Sequence, residues 1–197
     1  MPKLKDALRN EYVKSLIFLA IVLGSIVVFW FGVKAYLRTE YPMLAVASGS
    51  MAPTLNVGDL IIVQGGLNAS DIFAAYGTGD IIVFRSPHGT GELIVHRAVA
   101  KYENSGTWYF TTKGDNNPGT DNWNGGVSES EVVGKVVGAI PYVGHIPLFI
   151  HTPSGIIIIV ILLVILVLLE FAIPFVKERR AQEESSEESD ILDVESL

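Results

Sequence analysis

Two long apolar runs lie toward the ends of the chain, and between them hydrophobic residues come in short bursts. Ser15 to Val33, "SLIFLAIVLGSIVVFWFGV", holds no charged residue and sits between Lys14 and Lys34. As a helix rising about 1.5 Å per residue it is roughly 28 Å long, close to the hydrocarbon thickness of a bilayer. Gly155 to Val176 is apolar except for Glu170. Its uninterrupted part, Ile156 to Leu169, is short for a span, so the helix must carry Glu170 into or near the interface. The pattern predicts two transmembrane helices, 15–33 and 155–176. A cleaved signal peptide is the alternative for the first, and Ala45-Val46-Ala47 has the small residues of a cleavage site. But the apolar run exceeds the roughly 7–15 residues of a signal core, and that site lies far beyond its end. An uncleaved anchor is the better reading.

Between the spans the period changes. "DLIIVQGG", "GDIIVFRSP", "GELIVHRAVA", "TWYFTTKGD" and "VVGKVVGAIPYVG" are rich in Val, Ile, Tyr, Phe and Thr, and Gly, Pro, Asn and Asp bound them. None has the length or the 3.6-residue period of a helix. Residues 34–154 are therefore expected to form an all-β domain, a small partly closed barrel or coiled sheets with long loops. "GGLNASDIFAAYGTG" reads as a loop with one helical turn, and Asn68-Ala69-Ser70 matches an N-glycosylation acceptor.

Composition agrees with the two spans: 49% of the 197 residues are hydrophobic and 18% are charged. Basic residues orient the spans. Lys3, Lys5, Arg9 and Lys14 precede the first, against Lys34 and Arg38 after it. Lys177, Arg179 and Arg180 follow the second, while no Lys or Arg lies between Lys135 and that span. Segments 1–14 and 177–197 are then cytoplasmic, and 34–154 is outside the cell membrane. The net charge of −7 comes largely from the serine-rich acidic tail "EESSEESDILDVE", which is expected to stay solvated and disordered. That balance argues against nucleic-acid binding. The chain has no cysteine, which excludes disulfides, a thiol nucleophile and a thiolate metal site.

The domain between the spans could be an enzyme, a binding module or a scaffold, and one stretch is either a turn that links two strands or a serine presented to a substrate. "ASGSMAPTLNVGD", Ala47 to Asp59, sets two hydroxyl residues around a glycine with a proline three residues later. A serine nucleophile needs a base within hydrogen-bond reach and a third group to orient that base. Of four histidines, His96 interrupts the apolar strand "LIVHRAV". His88 lies in a Ser-Pro-His-Gly turn, and His145 and His151 lack the spacing of a helical zinc pair. Taken singly, His96 reads as a structural strand histidine. "TKGDNNPGTD", Thr112 to Asp121, holds two aspartates in a Gly/Asn/Pro loop, which taken alone reads as an Asx-rich turn.

Their order along the chain changes that. Ser48-Gly49-Ser50-Met51, Pro53-Thr54, Gly58-Asp59, Gly79-Asp80-Ile81-Ile82, His96-Arg97, and Gly114-Asp115-Asn116-Asn117 with Asp121 together resemble a type I signal peptidase, over about residues 43 to 141. The bacterial branch has Lys-Arg where this chain has His96-Arg97, so the resemblance is to the archaeal and endoplasmic-reticulum branch, in which serine works with histidine. It implies Ser50 as nucleophile, His96 as general base and Asp121 as the group orienting His96, with Asp115 supporting the loop. The Ser50 amide and the Ser48 hydroxyl are the implied oxyanion donors. Gly49 would let the backbone approach substrate, and structural turns explain Asp59 and Asp80. No cofactor or metal is implied. The implied partners are signal peptides of preproteins, the lipid bilayer and the protein-export channel. Substrate would lie extended along a strand edge, with small pockets for Ala-like residues. Met43, Leu44, Val46 and Met51 would line the groove or dip into lipid. Two other classes compete: a self-cleaving peptidase of repressor type, which would need Lys101 or Lys113 as base, and an inactive membrane subunit that binds preproteins or a secretion complex.

Overall fold

The computed structural model describes residues 11–165 and Leu168. It divides into two compact units, Met1–His145 and Ile146–Leu197.

The first unit opens with helix α1, Glu11–Leu37. Its segment Ile17–Leu37, 21 residues of mean hydropathy 2.3, is long and apolar enough to cross a membrane, and none of its most apolar window is buried. The helix extends beyond the expected 15–33 because Lys34 through Leu37 have no helix breaker among them. The chain then enters strands β1 (Met43–Ala45), β2 (Leu60–Gln64), β3 (Ile81–Arg85), β4 (Leu93–Asn104), β5 (Thr107–Lys113), β6 (Val127–Ser128) and β7 (Val132–Ile140). They form one antiparallel sheet in the order β1-β2-β7-β3-β4-β5-β6. The five apolar bursts are β2, β3, β4, β5 and β7. The edge strands β1 and β6 escape the pattern, being only three and two residues long. The expected loop turn is a single 3-10 turn at Ala69–Asp71.

The middle strand explains why these bursts are continuous rather than alternating. The sheet carries a core on each face, so β3 is buried on both. Ile82 and Phe84 join Ile72, Ala98, Phe110 and Val127 on one side. Val83 joins Val46, Met51, Leu55, Ile61 and Val63 on the other. Phe84 and Phe110 are fully buried, each contributing about 2–3 kcal/mol of apolar transfer. Register shifts at Ile62/Val63, Val83/Phe84 and Ala98/Ala100 bend the sheet between these cores. Val46 and Met51, expected at the groove or in lipid, line the groove from its floor and are otherwise packed into the core, 6% and 1% exposed.

Helix α2, His145–Ile150, follows a turn after β7, so the end of 34–154 is helical rather than β. In the second unit an apolar helix, α3, covers Pro153–Ile165. The expected second span, 155–176, falls partly on α3, and apart from Leu168 its remainder lies outside the described residues, as does the tail 177–197.

Candidate active site

Ser50 sits on a single 3-10 turn, Gly49–Met51. Met51 and Leu55 point into the core below, and Leu55 N donates to Met51 O at 2.9 Å. The turn is thus pinned from beneath, leaving Ser50 at the surface of a groove. A Cβ added at Gly49 would meet nothing within 4 Å, so that side of the turn is open. From the other side the 114–117 loop clamps it: Asn116 N donates to Ser50 O at 2.8 Å and Asn116 Nδ2 to Gly49 O at 3.2 Å. Glycine is needed at 114 because a Cβ there would stand 2.7 Å from Ser50 O.

Strand β4 supplies the imidazole. Its alternation sends Leu93 and Val95 to one core and His96 and Ala98 to the other face. His96 is 8% exposed and lies edge-on to Phe84, with ring centroids 6.5 Å apart. Its Nε2 is 3.1 Å from Ser50 Oγ, and its Nδ1 is 2.6 Å from Asp121 Oδ2. A carboxylate only accepts, so Nδ1 carries the hydrogen and Nε2 is free to accept from the serine hydroxyl. Ser48 Oγ lies 3.3 Å from Ser50 Oγ.

Asp121 is brought back over the sheet by Asp121 N donating to Thr112 O at 2.8 Å. Burial works to raise its carboxyl, but hydrogen bonds from His96 and Thr112 outweigh burial and hold it below the usual carboxylate range. Asp115 belongs to another cluster. Arg97 Nε and Nη2 donate to its two oxygens at 2.8 and 2.6 Å, and Thr54 Oγ1 donates at 2.6 Å. The Arg97 hydrogen bonds, opposed by burial and helped by Thr54, hold the Asp115 carboxyl low, and the same pairing raises Arg97. Arg97 Nη1 also donates to Gly79 O at 2.7 Å. This cluster ties the Ser50 loop, β4 and the 114–117 loop together. Asp59 and Asp80 hold turns, accepting from Asn56 N and Phe73 N.

Ser48, Ser50, His96 and Asp121 therefore meet along one groove of about 560 Å³, while Asp115 faces away from the imidazole. A second cavity of about 310 Å³, beside Trp108 and Glu129, holds none of these groups. Strand β4 pairs with β3 from Leu93 onward but with β5 only from Arg97. One edge of Leu93–Val95 is consequently free where it lines the groove, opposite Ala45–Ser48. Two residues at the site carry no role in the sequence pattern, Thr112 and Trp123. A signal existed for Thr112: alternation along "TWYFTTK" puts it on the inward face with Phe110, where a polar side chain needs a partner.

The family model described as "Signal peptidase, peptidase S26" matches residues 9–101. The chain is 33% identical over 152 residues to the signal peptidase complex catalytic subunit SEC11C of Canis lupus familiaris, covering 73% of this chain and 74% of the relative. The Homo sapiens protein of the same name is 31% identical over the same shares. The SEC11 subunit of Tuber melanosporum is 29% identical over 76% of this chain and 85% of its own length. With this breadth of similarity, and with histidine at 96, the chain belongs to the type I signal peptidases of peptidase family S26, in their endoplasmic-reticulum and archaeal branch.

Proposed function

We propose that this serine hydrolase removes signal peptides from preproteins with Ser50 as nucleophile, His96 as general base and Asp121 as the group that orients His96. The observation that carries the reading is the unbroken chain from Ser50 Oγ to His96 Nε2 at 3.1 Å and from His96 Nδ1 to Asp121 at 2.6 Å. Ser50 Oγ attacks the scissile carbonyl as its proton passes to Nε2. The imidazolium so formed is stabilised by the ionised Asp121 and returns the proton to the leaving amine. Water then repeats the sequence on the acyl-enzyme. The Ser48 hydroxyl, beside the reacting oxygen, and the Ser50 amide serve as oxyanion donors, and losing one such donor typically costs about 3–4 kcal/mol.

The substrate backbone adds as an extended strand between the free edge of Leu93–Val95 and the Ala45–Ser48 segment. Small side chains one and three residues before the cut bond suit this groove. Helix α1, whose apolar side chains are exposed along its length, anchors the domain in the bilayer, and Gly155 to Val176 supplies a second span. The catalytic domain faces the extracytoplasmic side, near the export channel where signal peptides emerge. Ser50 follows Val33 by only seventeen residues, which keeps the groove near the membrane surface.

The test is cleavage of a preprotein by purified full-length protein in detergent, wild type against Ser50→Ala. Loss of product with an unchanged melting temperature is expected. Full activity in Ser50→Ala overturns the reading.

A further inference from the structure

Behind Asp121 the hydrogen bonding continues through two more side chains. Thr112 Oγ1 donates to Asp121 Oδ2 at 2.7 Å, and Trp123 Nε1 donates to Thr112 Oγ1 at 3.0 Å. Chemistry sets both directions. An indole N–H donates and has nothing to accept with, so the Thr112 oxygen must be its acceptor. The hydroxyl's single proton then goes to the carboxylate. Asp121 Oδ2 thus receives two donors on one oxygen, His96 Nδ1 and Thr112 Oγ1.

Both anchors of this chain are rigid. Thr112 is fully buried and pairs with Ala98, two residues along β4 from His96. The Thr112 donor and the imidazole therefore stand on neighbouring strands of the same sheet. Trp123 is held edge-on by Phe84 and His88, with centroids at 6.0 and 5.1 Å. Asp121 itself sits on a loop of Asn, Pro and Gly, and needs such a hold.

We infer that Thr112 and Trp123 are positioning residues of the hydrolytic reaction: Trp123 orients the Thr112 hydroxyl, and that hydroxyl fixes Asp121 against His96. The inference rests on the reading of Ser50, His96 and Asp121 as the catalytic groups. If Thr112 served only as core packing, Thr112→Val, which removes the hydroxyl at nearly constant shape, would leave catalysis untouched. If Trp123 served only to line the groove, Trp123→Phe would act on KM rather than kcat.

The experiment compares wild type with Thr112→Val, Thr112→Ser, Trp123→Phe and Ser50→Ala. Each is the full chain in detergent, assayed for kcat and KM on one preprotein across pH, with melting temperature recorded. A hydrogen bond to a charged group is worth enough for Thr112→Val to lower kcat about tenfold or more. KM should hold, because the groove keeps its shape, and Thr112→Ser should restore most of kcat. Trp123→Phe should lower kcat by a smaller factor, about threefold, because the hydroxyl is misdirected rather than lost. In Thr112→Val the acid limb of kcat/KM should move to higher pH. A carboxylate with one donor fewer attracts the imidazolium more strongly. The titratable groups around the imidazole are Asp121 and, along the groove, His88 and Glu92, and no variant changes them. Wild-type kcat and acid limb in Thr112→Val overturn the inference, as does an equal loss in Thr112→Ser and Thr112→Val. Should Thr112→Val fail to fold, Trp123→Phe decides: wild-type kcat in that variant overturns the inference. Activity in Ser50→Ala would instead remove the triad reading itself.

Discussion

Asp115 and Asp121 belong to one loop, carry the same carboxylate and answer to different partners. Asp121 accepts from His96 and Thr112, whereas Asp115 is held in a two-pronged pair with Arg97 and capped by Thr54. Asp121→Asn should therefore reduce kcat by about a thousandfold or more, since an amide favours the wrong imidazole tautomer, with little change in melting temperature. Asp115→Asn should act mainly on stability, costing on the order of 2 kcal/mol for a largely buried pair. Kinetics and thermal melts on both variants check this, and a stable but inactive Asp115→Asn beside an active Asp121→Asn would reverse the roles. The pH dependence has a defined sign. Pairing lowers the folded-state pKa of Asp115, so its contribution is present above the unfolded value of about 3.9 and fades as pH falls through the lower folded one. Melting temperatures of wild type and Asp115→Asn should accordingly converge in acid. Activity needs a lone pair on His96 Nε2 for the Ser50 hydroxyl and an ionised Asp121, whose carboxyl is held low. The kcat/KM profile should show one single-proton acid limb, and a two-proton limb would contradict the assignment.

At the scale of elements, the site is a turn, a strand and a loop locked to one another. The Gly49–Met51 turn rests on Met51 and Leu55, β4 presents His96 on one face and Arg97 on the other, and the 114–117 loop bonds back to the turn. Gly114 is the point of tightest contact. Gly114→Ala would place its Cβ 2.7 Å from both Ser50 O and Asn117 Nδ2, forcing the loop off the turn. A loss of about 1–3 kcal/mol is expected from such overpacking, and kcat should drop with it because the clamp on Ser50 shifts. Unchanged turnover in this variant, measured with the same preprotein, would mean that the loop does not position the nucleophile.

For the whole molecule, the arrangement follows from where apolar surface is left uncovered. The sheet buries a core on both faces, but α1 exposes Phe18, Val28, Phe29 and Phe31, each at least 65% accessible, which is costly in water and favourable in lipid. On the proposed topology of two spans and cytoplasmic termini, protease added outside sealed, right-side-out vesicles should digest 35–154 and leave the acidic tail intact. Digestion of the tail in sealed vesicles would mean that only α1 crosses, with the Ile156 to Leu169 segment lying in the interface.

Much of this was legible along the chain because it depends on local periodicity. The first apolar span, the five longer strands and the order of the Ser50, His96 and Gly114-Asp115 motifs are one-dimensional properties, set by hydrophobic runs, β-branched residues and turn formers. What the tertiary structure decided depends on neighbours far apart in sequence. The two-sided core packs Val46 and Met51, on the connection between β1 and β2, against Val83 of β3, so the floor of the groove is also part of the core. The edge strands β1 and β6 exist only by pairing with longer partners, so two or three residues of weak propensity are enough. Strand register and alternation set the partners of the two aspartates: His96 and Thr112 share one face of adjacent strands and meet Asp121, and Arg97 takes the other and meets Asp115. Thr112 and Trp123, whose side chains alone are common core residues, acquire a chemical role only when folding brings a hydroxyl, an indole and a carboxylate within hydrogen-bond reach.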